Sequence, residues 1–183
     1  MKKIRIGTGA GYAGDRLEPA LELMEKGNLN YISFECLAER TIAIAQKAKL
    51  VNPNKGYNGL LEHRMDKVLP LAHKHKVKVI TNMGAANPQS AVDVVCKMAE
   101  EKGIKGLKVA AVYGDVLSKL DRYKDAAVWE TGRPLAELDG IISANVYMGI
   151  DGIVEALKNG ADIVITGRVS DPALFLAPLV YEF

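Results

Sequence analysis

The sequence predicts a three-layer α/β domain on a mainly parallel sheet, because short β-branched runs alternate with longer helical patterns. Each run is followed by Gly, Asn or Asp, the residues that a turn at a strand's carboxyl end needs. Half of the 183 residues are apolar, so residues 1–183 are read as a single domain. A chain of this length buries roughly 70% of its unfolded surface without disulfide or metal. The cadence is Rossmann-like. Part of a (β/α)8 TIM-type barrel is the alternative, since six strand runs fall short of eight and the chain is below the usual ~250 residues.

Strands are expected at residues 3–8, 30–35, 77–82, 107–113, 141–146 and 162–166. A helix at 19–26 has Pro19 in its first turn and Gly27 just past its end. One at 41–50 is capped by the Thr41 hydroxyl and stops before Pro53. A third at 60–75 turns Leu61, Met65, Val68 and Leu69 to one face, with a kink expected at Pro70. At 88–102, capped by Asn87, the residues Val92, Val95, Cys96 and Ala99 form an apolar stripe that Gly103 closes. A short helix fills 152–158. From 115 to 139, around the only tryptophan, Trp129, the rhythm fails, and an excursion over the sheet edge or an active-site mouth is expected. The last residues, Leu174 to Val180, have apolar helical spacing but no polar tail, which predicts a further domain or partner beyond Phe183.

A net charge of +2 with mixed signs offers no extended positive field, so no nucleic-acid partner is expected. Cys36 and Cys96 have neither metal spacing nor disulfide density, which favours a reducing, cytoplasmic compartment. The first residues lack the apolar region of a signal peptide, and the apolar run at 173–180 is far short of the ~20 residues that span a bilayer. His63, His73 and His75 read as a solvated helix face, so no metal is expected.

Chemistry concentrates at predicted strand ends. Gly9-Ala10-Gly11-Tyr12-Ala13-Gly14 fits G-x-G-x-x-G behind the first strand, with Glu35 about 20 residues on, the outline of a dinucleotide fingerprint. Pro19 delays the helix that should carry the pyrophosphate. The favoured reading is a loop whose Gly9 and Gly11 amides hold another carboxylate or phosphate, against glycines that only meet unusual dihedrals. Asp15 and Arg16 follow at once, as substrate contacts or as a cap beside a solvated cation. In Phe34-Glu35-Cys36-Leu37-Ala38-Glu39-Arg40-Thr41, Glu35 is the candidate general acid or base and Arg40 an anchor, and an internal Glu–Arg ion pair is the plain alternative. Asn82 is a candidate oxyanion donor. Asp115, Asn145 and Arg168 add polar groups at the remaining strand ends, with Arg168 either an anion clamp or the partner of Asp171.

These blocks, with Thr81-Asn82-Met83-Gly84-Ala85-Ala86-Asn87-Pro88 and Ile165-Thr166-Gly167-Arg168-Val169-Ser170-Asp171-Pro172, resemble in order the amino-terminal domain of the acyclic terpene utilisation (AtuA) family. The resemblance covers essentially the whole chain. It implies a bacterial protein of acyclic terpenoid breakdown, a route through coenzyme A thioesters, and a family architecture that continues past Phe183. It carries no catalytic residues over to this sequence.

The combined expectation is an enzyme of acyl-CoA or carboxylate catabolism with hydratase- or lyase-type chemistry. Glu35 and Asn82 would be catalytic, and Gly9, Gly11, Asp15, Arg16, Arg40, Asn145 and Arg168 would bind substrate. A coenzyme A thioester is the candidate substrate, and no cofactor is named. A non-catalytic subunit that docks a carboxyl-terminal domain or partner, a homo-oligomer included, is the second reading. A dinucleotide-dependent oxidoreductase is the third.

Overall fold

Five runs of four or five residues form one open sheet, each as apolar as a strand covered on both faces has to be. The computed structural model describes residues 2–183. The strands β1 (Ile6–Ala10), β2 (Tyr31–Phe34), β3 (Lys78–Thr81), β4 (Val109–Val112) and β5 (Ile163–Thr166) lie in the order β1-β2-β3-β5-β4, with every pair parallel. The sheet is therefore all-parallel rather than mainly so. β1 and β4 are open edges, and β5 lies between β3 and β4, whereas a (β/α)8 barrel or any part of one keeps its strands in chain order, so the TIM-type alternative is overturned.

Side chains alternate between two cores. Ile32, Phe34, Val79, Ile163 and Ile165 point to one face, which is covered by α1 (Glu18–Lys26), α3 (Leu61–His75) and α4 (Pro88–Glu101). Tyr31, Ile80 and Val164 point to the other, under α5 (Asp151–Lys158) and α6 (Ala173–Glu182). The remaining helix, α2 (Glu39–Val51), is largely exposed and lies beyond the strand ends. The architecture is Rossmann-like, with helix, sheet and helix in three layers.

Local chemistry sets the helix ends. Thr41 lies in the third position of α2 instead of capping it, and its hydroxyl accepts the Ala38 N–H at 2.6 Å. Asn87 caps α4 as expected, its Oδ1 accepting the Ser90 N–H. α3 runs unbroken through Pro70 and stops at Lys76, which holds φ +56° where glycine is usual.

Two of the expected strands need correction. The first strand begins three residues later than predicted and takes in Gly7 and Gly9. No strand forms at 141–146; Asn145 makes only an isolated bridge to Val116. Ile141, Ile142 and Val146 are all at least 40% exposed, so this β-branched run has nothing to bury against. The excursion is accordingly longer than expected, from 113 to 150, with only two 3-10 turns, Leu120–Tyr123 and Leu135–Glu137.

The chain leaves β3 toward α4 on one face and β5 toward α6 on the other, which makes the β3/β5 boundary the topological switch point. The loops after these strands press together. A Cβ on Gly84 would lie 2.6 Å from the Thr166 carbonyl oxygen, so only glycine fits there.

Candidate functional site

Leaving β2, the chain enters a loop whose backbone is gripped from three other elements. Glu35, half-buried, accepts the Leu37 N–H and the Asn82 Nδ2–H on a single oxygen, Oε1, each at 2.9 Å. Asn82 is fully buried, and its Oδ1 takes the Cys36 N–H at 2.7 Å. Its amide side chain therefore orients Glu35 with one end and fixes the loop with the other. Asn58 donates to the Cys36 carbonyl at 3.3 Å, and Arg168 Nη1 to the Leu37 carbonyl at 3.0 Å. A buried turn needs these partners because water cannot supply them.

The glycine-rich segment is built differently from a dinucleotide fingerprint. Gly9 lies inside β1, at an irregularity in its register with β2, and a Cβ there would sit 2.5 Å from the Phe34 ring. Gly11 and Arg16 give their backbone N–H groups to Asp15, both at 2.9 Å, so the chain's own carboxylate fills that cradle. The Gly11 N–H is the main cause that holds the Asp15 carboxyl below its usual range. β1 is an edge strand, and α1 begins only at Glu18 with Pro19 in its first turn. The context the fingerprint requires, a central strand running straight into a helix, is not formed, and the oxidoreductase reading loses its basis.

Sequence reasoning missed Arg64. This guanidinium on α3 is 2% exposed and donates to the Ala13 carbonyl at 3.1 Å, to the Asp15 carbonyl at 2.9 Å and to Cys36 Sγ. It ties the glycine-rich segment to the β2–α2 loop. The signal was present: Arg64 interrupts the apolar stripe of Leu61, Met65 and Val68. Burial nonetheless dominates at Cys36 and pushes its thiol up to about 12, which leaves no thiolate for nucleophilic work near neutral pH.

At the far side of the loop stands Arg168, 4% exposed. Its partner is Glu39 rather than Asp171, and Tyr147 joins both. Tyr147 is the main cause that holds the Glu39 carboxyl below its usual range. Buried Asp115 accepts the Arg168 N–H at 3.0 Å and Asn145 Nδ2 at 2.8 Å, and Gln46 reaches Asn145 at 3.4 Å. Glu35, Asn82, Asn145 and Arg168 are thus joined through one hydrogen-bonded edge. Arg16 and Arg40 are exposed beside it and form no ion pair among the described residues.

Next to this edge opens a crevice of about 660 Å³ between the glycine-rich segment, α2 and the segment that leads into α3. Leu37, Ile44, Ala45, Ala48 and Leu60 make its walls mostly apolar. Glu35 is not part of the wall but is bonded to Leu37, which is. Lys55, Tyr57 and Glu62 stand at the crevice as a chain: Lys55 Nζ donates to the Tyr57 hydroxyl at 2.9 Å, and that hydroxyl donates to Glu62 at 3.0 Å. The Tyr57 bond is the main cause that raises the Lys55 pKa. The Gly56-Tyr57-Asn58-Gly59 run between helices was the available signal. Among the described residues, no cluster of three or more His, Cys, Asp or Glu is placed to hold a metal, and no helix is long and apolar enough to cross a membrane.

The model of the acyclic terpene utilisation family protein AtuA matches residues 4–183. No curated protein and no solved structure matches the chain. With all but the first three residues inside the matched span, and with the four sequence blocks meeting at the strand ends described above, the chain belongs to the acyclic terpene utilisation family AtuA.

Proposed function

We propose that the chain works in acyclic terpenoid catabolism as an enzyme on an apolar carboxylic acid or its coenzyme A thioester, in a reducing, cytoplasmic compartment. The apolar crevice of about 660 Å³ carries this reading: it is in the size range of small-molecule sites, with greasy walls and a few polar groups at one side. An acyclic terpenoid chain is apolar and flexible, and such walls bind it by excluding water. Glu35 is the acid–base candidate because both bonds it accepts fall on Oε1, which fixes the carboxylate and leaves Oε2 for a substrate proton. Asn82, with one end on Glu35 and the other on Cys36, becomes a positioning residue in place of an oxyanion donor. Arg16 and Arg40 supply exposed cations for a carboxylate or for coenzyme A phosphates. The chemistry that these groups suit is proton transfer next to an activated carbonyl, as in hydratases and lyases.

A thermal-shift titration with C10 terpenoid acids and their coenzyme A thioesters tests the reading. A binder at a hundred times its Kd stabilises the native state by about 2.7 kcal/mol. Ile44→Glu in the crevice wall is expected to abolish that shift, while Glu35→Gln keeps it and lowers turnover by about 100-fold or more. No shift with any of these ligands rejects the proposal. The docking-subunit reading draws on one observation of its own, the outer face of α6, where Leu176, Leu179 and Val180 are 41–50% exposed. Light scattering that finds only monomer, with no partner, removes it.

A further inference from the structure

Arg168 carries a side chain that is 5% exposed, yet its carboxylate partner, Glu39, is 80% exposed. That asymmetry is unusual for an internal ion pair, where both charges are normally withdrawn from water together. The guanidinium is held before any ligand arrives. Asp115 pins its backbone N–H, Asn145 pins Asp115, and the Leu37 carbonyl takes Nη1. The Tyr147 ring lies against it with the centroid 4.2 Å away. Nη2 and the Tyr147 hydroxyl then converge on one oxygen of Glu39. Glu39 itself is the first residue of α2, reaching in from solvent. The whole assembly stands beside the switch point, where open parallel sheets place their ligands.

The geometry points to an anion subsite made by Arg168 and Tyr147, which Glu39 fills in the unliganded chain and from which the carboxylate or phosphate of a ligand displaces it. Exchange keeps the buried cation neutralised, since one anion replaces another, and the released Glu39 returns to water. The subsite rests on the function proposed above only in naming an apolar acid as the ligand. Its two donors would recognise the carboxylate of such an acid or a phosphate group by the same bonds.

Calorimetric titration of the full chain with acetate, octanoate and inorganic phosphate, at constant ionic strength, tests this. Glu39→Gln removes the internal competitor and is expected to tighten anion binding about fivefold. Arg168→Met is expected to abolish it. Tyr147→Phe keeps the stacked ring, loses the hydroxyl and is expected to weaken binding a few-fold, which covers the case of an Arg168 variant that does not fold. Tighter phosphate than acetate binding to Glu39→Gln marks a phosphate ligand, and the reverse order a carboxylate. If acetate and phosphate gain on Glu39→Gln while octanoate is no tighter than acetate, the subsite stands and the apolar crevice reading fails. Octanoate binding that ignores all three substitutions keeps the crevice and overturns the subsite. An anion affinity of Glu39→Gln no higher than that of the parent chain also overturns it.

Discussion

Arg64 and Cys36 show how one buried contact shapes two side chains. The guanidinium satisfies the part-buried Ala13 and Asp15 carbonyls, so Arg64→Met leaves both acceptors without their protein donor. A cost of about 3 kcal/mol is expected in denaturant melts, from two orphaned acceptors at 1–3 kcal/mol each, offset in part by the apolar replacement. The thiol of Cys36 is raised from 9.0 to about 12 by burial. A folded pKa above the unfolded one means that the native state holds the proton more tightly. Its contribution to stability is therefore complete below pH 9 and is lost as pH rises from 9 to 12. Native alkylation at pH 8 should accordingly label half-buried Cys96 well before buried Cys36, read by peptide mass; equal labelling refutes the assignment. Asn82 and Glu35 were legible in the sequence as polar residues at strand ends. That Asn82 spends both ends on the protein was not, because amide side chains look alike in sequence whether they face a ligand or a neighbour.

At the scale of elements, strand runs and helix stripes were readable to within a few residues because burial imposes period two or period 3.6 on the sequence. Five of six predicted strands exist, and the exception is instructive. Residues 141–146 have the composition of a strand but join no strand of the sheet, making only the isolated Val116–Asn145 bridge, and composition alone does not supply a neighbour. Capping was partly legible. Asn87 also donates to the Pro53 and Lys55 carbonyls, both at 2.8 Å, so it joins α4 to the segment between α2 and α3. Asn87→Ala should cost about 2 kcal/mol in chemical denaturation, more than the ~1 kcal/mol of a cap alone. Lys76→Gly should raise stability by about 0.5–1 kcal/mol, since Lys76 holds φ +56° at the end of α3.

Across the whole molecule, two cores share one sheet, and the excursion over 113–150 belongs to neither except where Met148 and Ile150 touch the smaller one. Brief native trypsin treatment should therefore cut first between Lys119 and Arg133, where the chain is exposed, and leave the strands intact; an early cut in α3 or α4 would contradict this. The sequence by itself determined the layered α/β fold class, five strands and the polar character of their carboxyl ends, and its four blocks carried the family. These are consequences of local periodicity and turn chemistry, which each segment records on its own. Only the tertiary structure decided the strand order, the open edges and the switch point. It alone showed that Asp15 fills the glycine-rich cradle, that Arg64 is buried, and that Arg168 meets Glu39 and Tyr147 instead of Asp171. Those facts depend on which segments become neighbours, a matter of packing between elements far apart in the chain, and no local pattern encodes it.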